Sequence, residues 1–229
     1  MRFNKYTKKM SKLYIVPTPI GNLEDITMRA VTTLKEVGLI LAEDTRTSSV
    51  LLRKYDIHTP MESHHKFNEH RAVESVKERI LAGLDVALIS DAGTPGISDP
   101  GFLLARTCIE AGIEVITLPG PTAFVPALVD SGFPCDRFYF EGFLPVKKGR
   151  KSRIEAIAAQ NHTTILYESP FRLVRTLEEL AAAMGERNAS VSREISKIHE
   201  TTVRGTLSEL AAYFKAHEPK GEIVIVISA

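Results

Sequence analysis

The sequence predicts an α/β protein of two domains, an N-terminal domain around a parallel sheet and a C-terminal domain around a mixed sheet. Three observations carry this. In the first half, short aliphatic runs alternate with stretches of helical spacing, and that rhythm implies a parallel sheet covered on both faces. Between Phe133 and Lys151 the rhythm breaks around Pro134, Pro145 and Gly149. Beyond the break, strand signals resume with two runs near Ser190 and Thr201, which reads as a second α/β domain with some antiparallel strands.

The elements follow in order. Residues 1–12 carry Arg2, Lys5, Lys8, Lys9 and Lys12 with no acid and no apolar segment of signal-peptide length, so they read as a disordered basic leader in which Met10 offers an alternative start. Leu13 to Val16 is the first strand. A helix from about Thr27 puts Ala30, Val31, Leu34 and Val37 on one face, and Gly38 stops it. Leu39 to Ala42 is the next strand. Asn68 caps a helix carrying Val73, Val76, Ile80 and Leu81, and Val86 to Ile89 is a buried strand. Asp99-Pro100 starts another helix, Ile113 to Leu118 is a strand, and Gly120 to about Ser131 is a helix.

The boundary falls near Phe143, giving domains 13–143 and 144–229. After it come strand Thr163 to Tyr167 and a helix with Leu173, Leu177, Leu180 and Met184 on one face. Strands near Ser190 to Ile195 and Thr201 to Gly205 precede a helix that Thr206 and Glu209 open as a capping box, and Glu222 to Ser228 is the closing strand.

Composition narrows the function. The 229 residues include 29 Lys and Arg against 28 Asp and Glu, so no global field draws the chain to a polyanion and any such partner must be read by a local patch. The longest apolar runs, such as Ile223 to Ile227, are far below the roughly 18 residues a membrane span needs. Cys108 and Cys135 have no metal-like spacing and fit a reduced, cytoplasmic setting. No Gly-rich dinucleotide or nucleoside-triphosphate cradle occurs, and no His-Glu-x-x-His; His64-His65 alone is a poor ligand pair, so no metal is expected. Gly96-Ile97-Ser98-Asp99-Pro100 ends in Pro where a nucleophile elbow requires Gly.

What remains is a set of loops at the carboxyl ends of strands, where open α/β sheets bind ligands. Pro17 to Asn22 follows the first strand. Ser90 to Gly101 follows Val86 to Ile89 and is the most specific, with small residues exposing backbone between two aspartates ahead of a helix. Leu118 to Ala123 repeats the device.

These loops, with Ala42-Glu43-Asp44-Thr45-Arg46, Glu141-Gly142-Phe143-Leu144-Pro145, Tyr167-Glu168-Ser169-Pro170 and Arg193-Glu194-Ile195-Ser196-Lys197, resemble the tetrapyrrole-methylase-fold proteins, and within them the ribosomal RNA small-subunit methyltransferase I group. The likeness runs from Leu13 to Ile227 in the family's order. It implies a two-domain methyltransferase, usually a homodimer, that binds S-adenosylmethionine in the interdomain cleft and makes a 2′-O-methylated cytidine in small-subunit ribosomal RNA. Carried over by position, the cofactor contacts fall on Pro19, Ala92, Gly93, Thr94, Ile97, Thr122, Ala123, Tyr167, Glu168 and Ser196. The family often continues past its last strand into a small helical module; this chain ends at Ala229.

A ribose hydroxyl is a weak nucleophile, so a base or proton path is needed. Strand ends supply Glu43 and Asp44 with Arg46, His65, Glu168, and Glu194 with Lys197. Asp44, Arg46, Glu194 and Lys197 are the expected catalytic set, with structural ion pairing as the alternative for each pair. Lys147, Lys148, Arg150, Lys151 and Arg153 form the best local patch for RNA, five cations among seven residues with no acid. A methylase of tetrapyrroles or another small molecule, or a non-catalytic ribosome-binding protein, shares most of these features.

Overall fold

The computed structural model describes residues 11–65 and 69–229. Most of the basic leader and the expected cap Asn68 lie outside the described residues. The chain forms two compact units, one ending at Pro121 and the other spanning Thr122–Ala229.

The first unit runs β1 (Lys12–Ile15), α1 (Met28–Glu36), β2 (Leu39–Ala42), α2 (Thr45–Lys54), β3 (Met61–Ser63), α3 (Glu69–Leu81), β4 (Val86–Ile89), α4 (Phe102–Glu110) and β5 (Glu114–Thr117). The strands form one sheet in the order β3-β2-β4-β1-β5, parallel throughout. Every residue of β2 and β4 is buried, which requires cover on both faces. Parity along the strands sorts the cover. Ile40, Ala42, Ala87 and Ile89 pack with Ala30 and Leu34 of α1 and Leu51 and Leu52 of α2. Leu39, Leu41, Val86 and Leu88 pack on the other face with Val76 and Ile80 of α3 and Leu104 and Cys108 of α4.

Local signals set the helix starts. The Thr27 hydroxyl accepts from the amide of Ala30 at 3.1 Å and opens α1. Asp44 caps α2 through the amide of Arg46 at 2.8 Å. Asp99-Pro100 does not start α4, which begins at Phe102 after Gly101 turns the chain with φ of 133°. Likewise the helix expected from Gly120 begins later, and Lys12, placed in the leader by sequence, already belongs to β1.

The second unit runs α5 (Phe124–Ser131), β6 (Phe138–Phe143), α6 (Arg150–Ala158), β7 (Thr163–Glu168), α7 (Leu173–Met184), β8 (Asn188–Arg193), β9 (Thr201–Thr206), α8 (Leu207–Ala216) and β10 (Ile223–Ile227). Its sheet is ordered β6-β7-β10-β8-β9; β6 and β7 are parallel and the other pairs antiparallel. The closing strand shows why all its residues are apolar. Ile223, Ile225 and Ile227 face the core formed with α6, α7 and α8, while Val224 and Val226 face Ala127 and Leu128 of α5. That contact assigns α5 to the second unit, so the division falls at Pro121/Thr122, ahead of the boundary near Phe143 read from sequence. The Thr206–Glu209 capping box is present. Among the described residues no helix is long and apolar enough to cross a membrane.

Candidate functional site

In the first sheet, β1 and β4 are neighbours whose chains leave in opposite directions: α1 covers one face and α4 the other. Such a reversal opens a crevice at the carboxyl ends of the strands, the usual ligand position in this architecture. The two loops there are joined. Thr18 and Gly93 exchange both backbone hydrogen bonds at 2.9 Å, the Thr18 hydroxyl donates to the carbonyl of Ser90 at 2.9 Å, and the Ser90 hydroxyl donates to the carbonyl of Gly93 at 3.2 Å. The Thr94 hydroxyl donates to the carbonyl of Pro121 at 3.1 Å and draws in the loop after β5.

This geometry refines the place of each expected cofactor residue. Gly93 is buried and its amide and carbonyl are both committed to Thr18, so it shapes the loop rather than offering backbone to a ligand. Pro19 is buried beside it. Ala92 and Thr94 are half-buried and Ile97 is exposed, so they present small and apolar surface at the crevice. Gly93 holds φ of 84°, a conformation that branched residues adopt only under strain. Its missing Cβ would meet Ile20 at 3.6 Å and the Pro121 carbonyl at 3.8 Å, which are ordinary contacts, so the backbone sets the cost. Gly93→Val is therefore expected to lower stability by about 1–3 kcal/mol; an unchanged urea midpoint would show that the bridge re-forms with another geometry.

The adjacent end of β2 brings three acids together. The amide of Asp44 donates to Asp91 Oδ1 at 3.0 Å. Glu43 accepts from the amide of Asp91, yet its carboxyl is pushed above the ordinary carboxylate range, first by burial and then by the Asp91 charge, with His65 opposing. Burial also raises Asp91. Asp44 behaves oppositely and is held down to about 2, first by the side chain of Arg46 and then by its amide. Arg46 Nε and Nη2 donate to the two Asp44 oxygens at 3.1 and 2.7 Å. The expected Asp44–Arg46 pair thus exists, with the arginine side chain 89% exposed.

In the second unit, Glu168 is buried and both its oxygens are hydrogen-bonded. Oε1 accepts from the amide of Ser169 at 2.7 Å and from Arg172 at 2.8 Å, and Oε2 accepts from the Thr176 hydroxyl at 2.6 Å. These bonds leave it shaping the turn into α7. Tyr167 stacks edge-on with Phe140 and Phe143, at centroid distances of 5.2 and 5.6 Å. Thr122 and Ala123 lead into α5, where the Thr122 carbonyl accepts from the amide of Val125 at 3.3 Å.

Glu194 and Lys197 also meet. The ammonium donates to Glu194 at 2.9 Å and to Glu222 at 3.0 Å, while Glu194 also accepts from the amide of Glu222 at 2.9 Å. The hydrogen bond from Lys197 lowers the Glu194 carboxyl against its burial. Glu194 and Ser196 hold φ of 52° and 69°, so this ion-paired loop is tightly wound.

The basic segment divides. Lys147 and Lys148 are exposed and Lys151 is nearly free of cover, with Glu155 at 3.9 Å. Arg150 is not available to RNA: it is 5% exposed and donates to Glu179 at 2.6 Å, to the Pro145 carbonyl at 3.2 Å and to Thr176 at 2.7 Å. Arg153 is forked onto Glu141 at 2.7 and 2.6 Å. No group of three or more His, Cys, Asp or Glu that could hold a metal occurs among the described residues.

A doubly wound parallel sheet with backbone-rich loops at its switch point, followed by a unit with a mixed sheet, is the fold of cobalt precorrin-4 methyltransferase. That solved structure superimposes with a TM-score of 0.68 at 17% identity, covering 95% of this chain and 94% of that one. The profile described as Tetrapyrrole (Corrin/Porphyrin) Methylases matches residues 12–211, and the chain belongs to this family. Among its relatives, the ribosomal RNA small subunit methyltransferase I of Synechocystis sp. is 50% identical over 96% of this chain and 79% of its own length. The protein of the same name from Thermotoga maritima is 46% identical over 96% of this chain and 99% of its own length.

Proposed function

We propose that the chain transfers the methyl group of S-adenosylmethionine to the ribose 2′-hydroxyl of a cytidine in small-subunit ribosomal RNA, in the cytoplasm and as a homodimer. The observation that carries this is identity near one half, along almost the whole chain, to relatives named for small-subunit ribosomal RNA methylation.

The switch-point loops suit the cofactor chemically. An adenosine and a methionine moiety need apolar walls and a few directed polar groups more than charge, and Ala92, Thr94 and Ile97 supply these beside the rigid Thr18–Gly93 bridge. By the family pattern Thr122, Ala123, Tyr167 and Ser196 are proposed as further contacts; Glu168 is left out because three donors from its own turn and α7 already hold it. Bound there, S-adenosylmethionine supplies an electrophilic methyl group. The protein's own part is alignment, worth about 7–11 kcal/mol when reacting atoms are held in line, and acceptance of the ribose proton.

Glu43 is the proposed proton acceptor, since burial and Asp91 raise its proton affinity while it stays only half-buried at the end of β2. Arg46, exposed and oriented by Asp44, is proposed to contact ribose or phosphate. Lys197, held between two carboxylates, is proposed to fix its loop with Glu194. Lys147, Lys148 and Lys151 are proposed to contact RNA phosphates.

Ribosomal RNA from cells lacking the gene tests the reading. Mapping of 2′-O-methyl groups is expected to show one small-subunit cytidine unmodified, and restored by added protein with S-adenosylmethionine. A complete modification pattern without the gene removes the proposal. Neutralising Lys147, Lys148 and Lys151 together is expected to weaken RNA binding and flatten its salt dependence by up to about 0.9 log units per lost duplex contact; an unaltered slope in fluorescence titrations would mark these lysines as ordinary surface.

A further inference from the structure

The loops leaving β6 and β7 emerge side by side, because the strands are adjacent and parallel with Phe143 opposite Tyr167. Their tips expose what folding normally hides. Phe171 is 95% exposed, and Phe143 and Val146 are more than half exposed. Lys147 and Lys148 stand out beside Val146 on the same loop. Residues 144–149 and 169–172 contain no acid, so the tips pair apolar surface with positive charge alone.

These loops are anchored at their bases. Arg150 donates to the Pro145 carbonyl at 3.2 Å at the base of the first loop and to the Thr176 hydroxyl at 2.7 Å on α7. Thr176 donates onward to Glu168 at 2.6 Å. Glu168 in turn accepts from Ser169 and Arg172, the residues that bracket Pro170 and Phe171. Arg150, Thr176 and Glu168 are all at least nine-tenths buried. One buried polar chain therefore ties the bases of both loops to the same end of α7. Burying an aromatic side chain is worth about 1.5–3 kcal/mol, so a solvent-facing ring on an anchored loop is a surface prepared for a partner.

An exposed ring on one loop and lysines on the adjacent loop, without acids, complement an unpaired nucleotide: the aromatic face takes the base and the ammonium groups take the flanking phosphates. We propose that Phe171 stacks on an unpaired base of the RNA substrate, with Lys147 and Lys148 on neighbouring phosphates. The proposal rests on the RNA-methylation reading above and adds a base-contacting residue to it.

The test compares native protein, Phe171→Ala and Phe171→Trp for binding of a fluorescein-labelled single-stranded oligocytidylate and of an RNA duplex. Phe171→Ala is expected to weaken the single strand by about tenfold or more, as loss of one base stack does. Phe171→Trp is expected to keep that affinity, and the duplex is expected to bind all three equally. Because the ring makes so little contact with the fold, all three should melt alike. Equal single-strand affinity of Phe171→Ala and native protein overturns the stacking role, while native activity on small-subunit RNA keeps the methyltransferase reading intact. Loss of affinity together with loss of a dimer in sedimentation assigns the ring to a contact between copies and overturns the proposal too. If the native protein methylates no small-subunit RNA, the parent reading falls, and the oligocytidylate comparison still decides Phe171.

Discussion

Glu43→Gln is expected to lower methyl transfer by about 10²- to 10⁴-fold, the usual worth of a positioned proton acceptor, and at the same time to raise the melting temperature at neutral pH. The two effects have one cause. Burial, and then the charge of Asp91, raise the Glu43 carboxyl above its ordinary value of 4.5. An acid whose affinity for its proton is higher folded than unfolded adds stability below its ordinary pKa, and that contribution is lost as pH rises through the raised value. Once ionised, Glu43 therefore costs stability that a neutral amide does not, and glutamine can still accept from the Asp91 amide. Asp91, also raised by burial, should show the same stabilisation as Asp91→Asn. Functional sites often carry such destabilised groups. Thermal melts at acidic and neutral pH beside single-turnover methylation decide the matter: normal turnover with a lower melting temperature would make Glu43 a structural acceptor and return the proton path to His65.

Much of the fold was legible because its strands are buried on both faces. Leu39 to Ala42 and Val86 to Ile89 are unbroken apolar runs bounded by turn residues, and the structure keeps both ranges as β2 and β4. The missed elements lacked that contrast. In β3, Met61–Ser63, only the methionine is apolar, as an edge strand permits. In α2 the buried face includes Ser48, which breaks the apolar period, and a single Asp44 ahead of it does not by sequence distinguish a cap from a site residue. In β6 a register shift between Phe140 and Gly142 interrupts the alternation. The allegiance of α5 is decided by what Ala127 and Leu128 touch, which no local pattern records.

The site was legible in its loops and less so in its side chains. Small residues and prolines at strand ends announce a crevice, yet whether an amide faces a ligand or a neighbouring loop depends on pairing, as the Thr18–Gly93 bridge shows. The basic run from Lys147 to Arg153 misled in the same way. A charge run is one-dimensional, whereas α6 turns Arg150 inward to Glu179 and Arg153 toward Glu141. The pairing of Glu43 with Asp91 was the reverse case: both acids sit at ends of adjacent strands, and only the parallel register of β2 and β4 brings them together.

Glu168→Ala is expected to destabilise the protein by about 3–5 kcal/mol, because removing one partner from a buried charged network leaves the others desolvated and uncompensated. The substitution would strip Arg172 of its carboxylate at 2.8 Å, the Thr176 hydroxyl of its acceptor at 2.6 Å and the Ser169 amide of its partner at 2.7 Å. Thr176→Val keeps the shape but removes the hydroxyl that links Glu168 to Arg150, and should cost less, about 1–3 kcal/mol. The same network has an acid-side signature at its outer end. Burial pushes the Glu179 carboxyl up, but hydrogen bonds from Arg150 and Arg175 outweigh this and hold it below its ordinary value. Its stabilising contribution is therefore present above that value and is lost as pH falls through the lowered one, so Glu179→Gln should flatten the decline in stability on acidification. Urea denaturation of the three variants checks the order of effects. A Glu168→Ala protein that unfolds at the native urea concentration but no longer binds S-adenosylmethionine would reverse the assignment, making Glu168 the cofactor contact that the family pattern implies and leaving the clamp on the Phe171 loop to Arg150 alone.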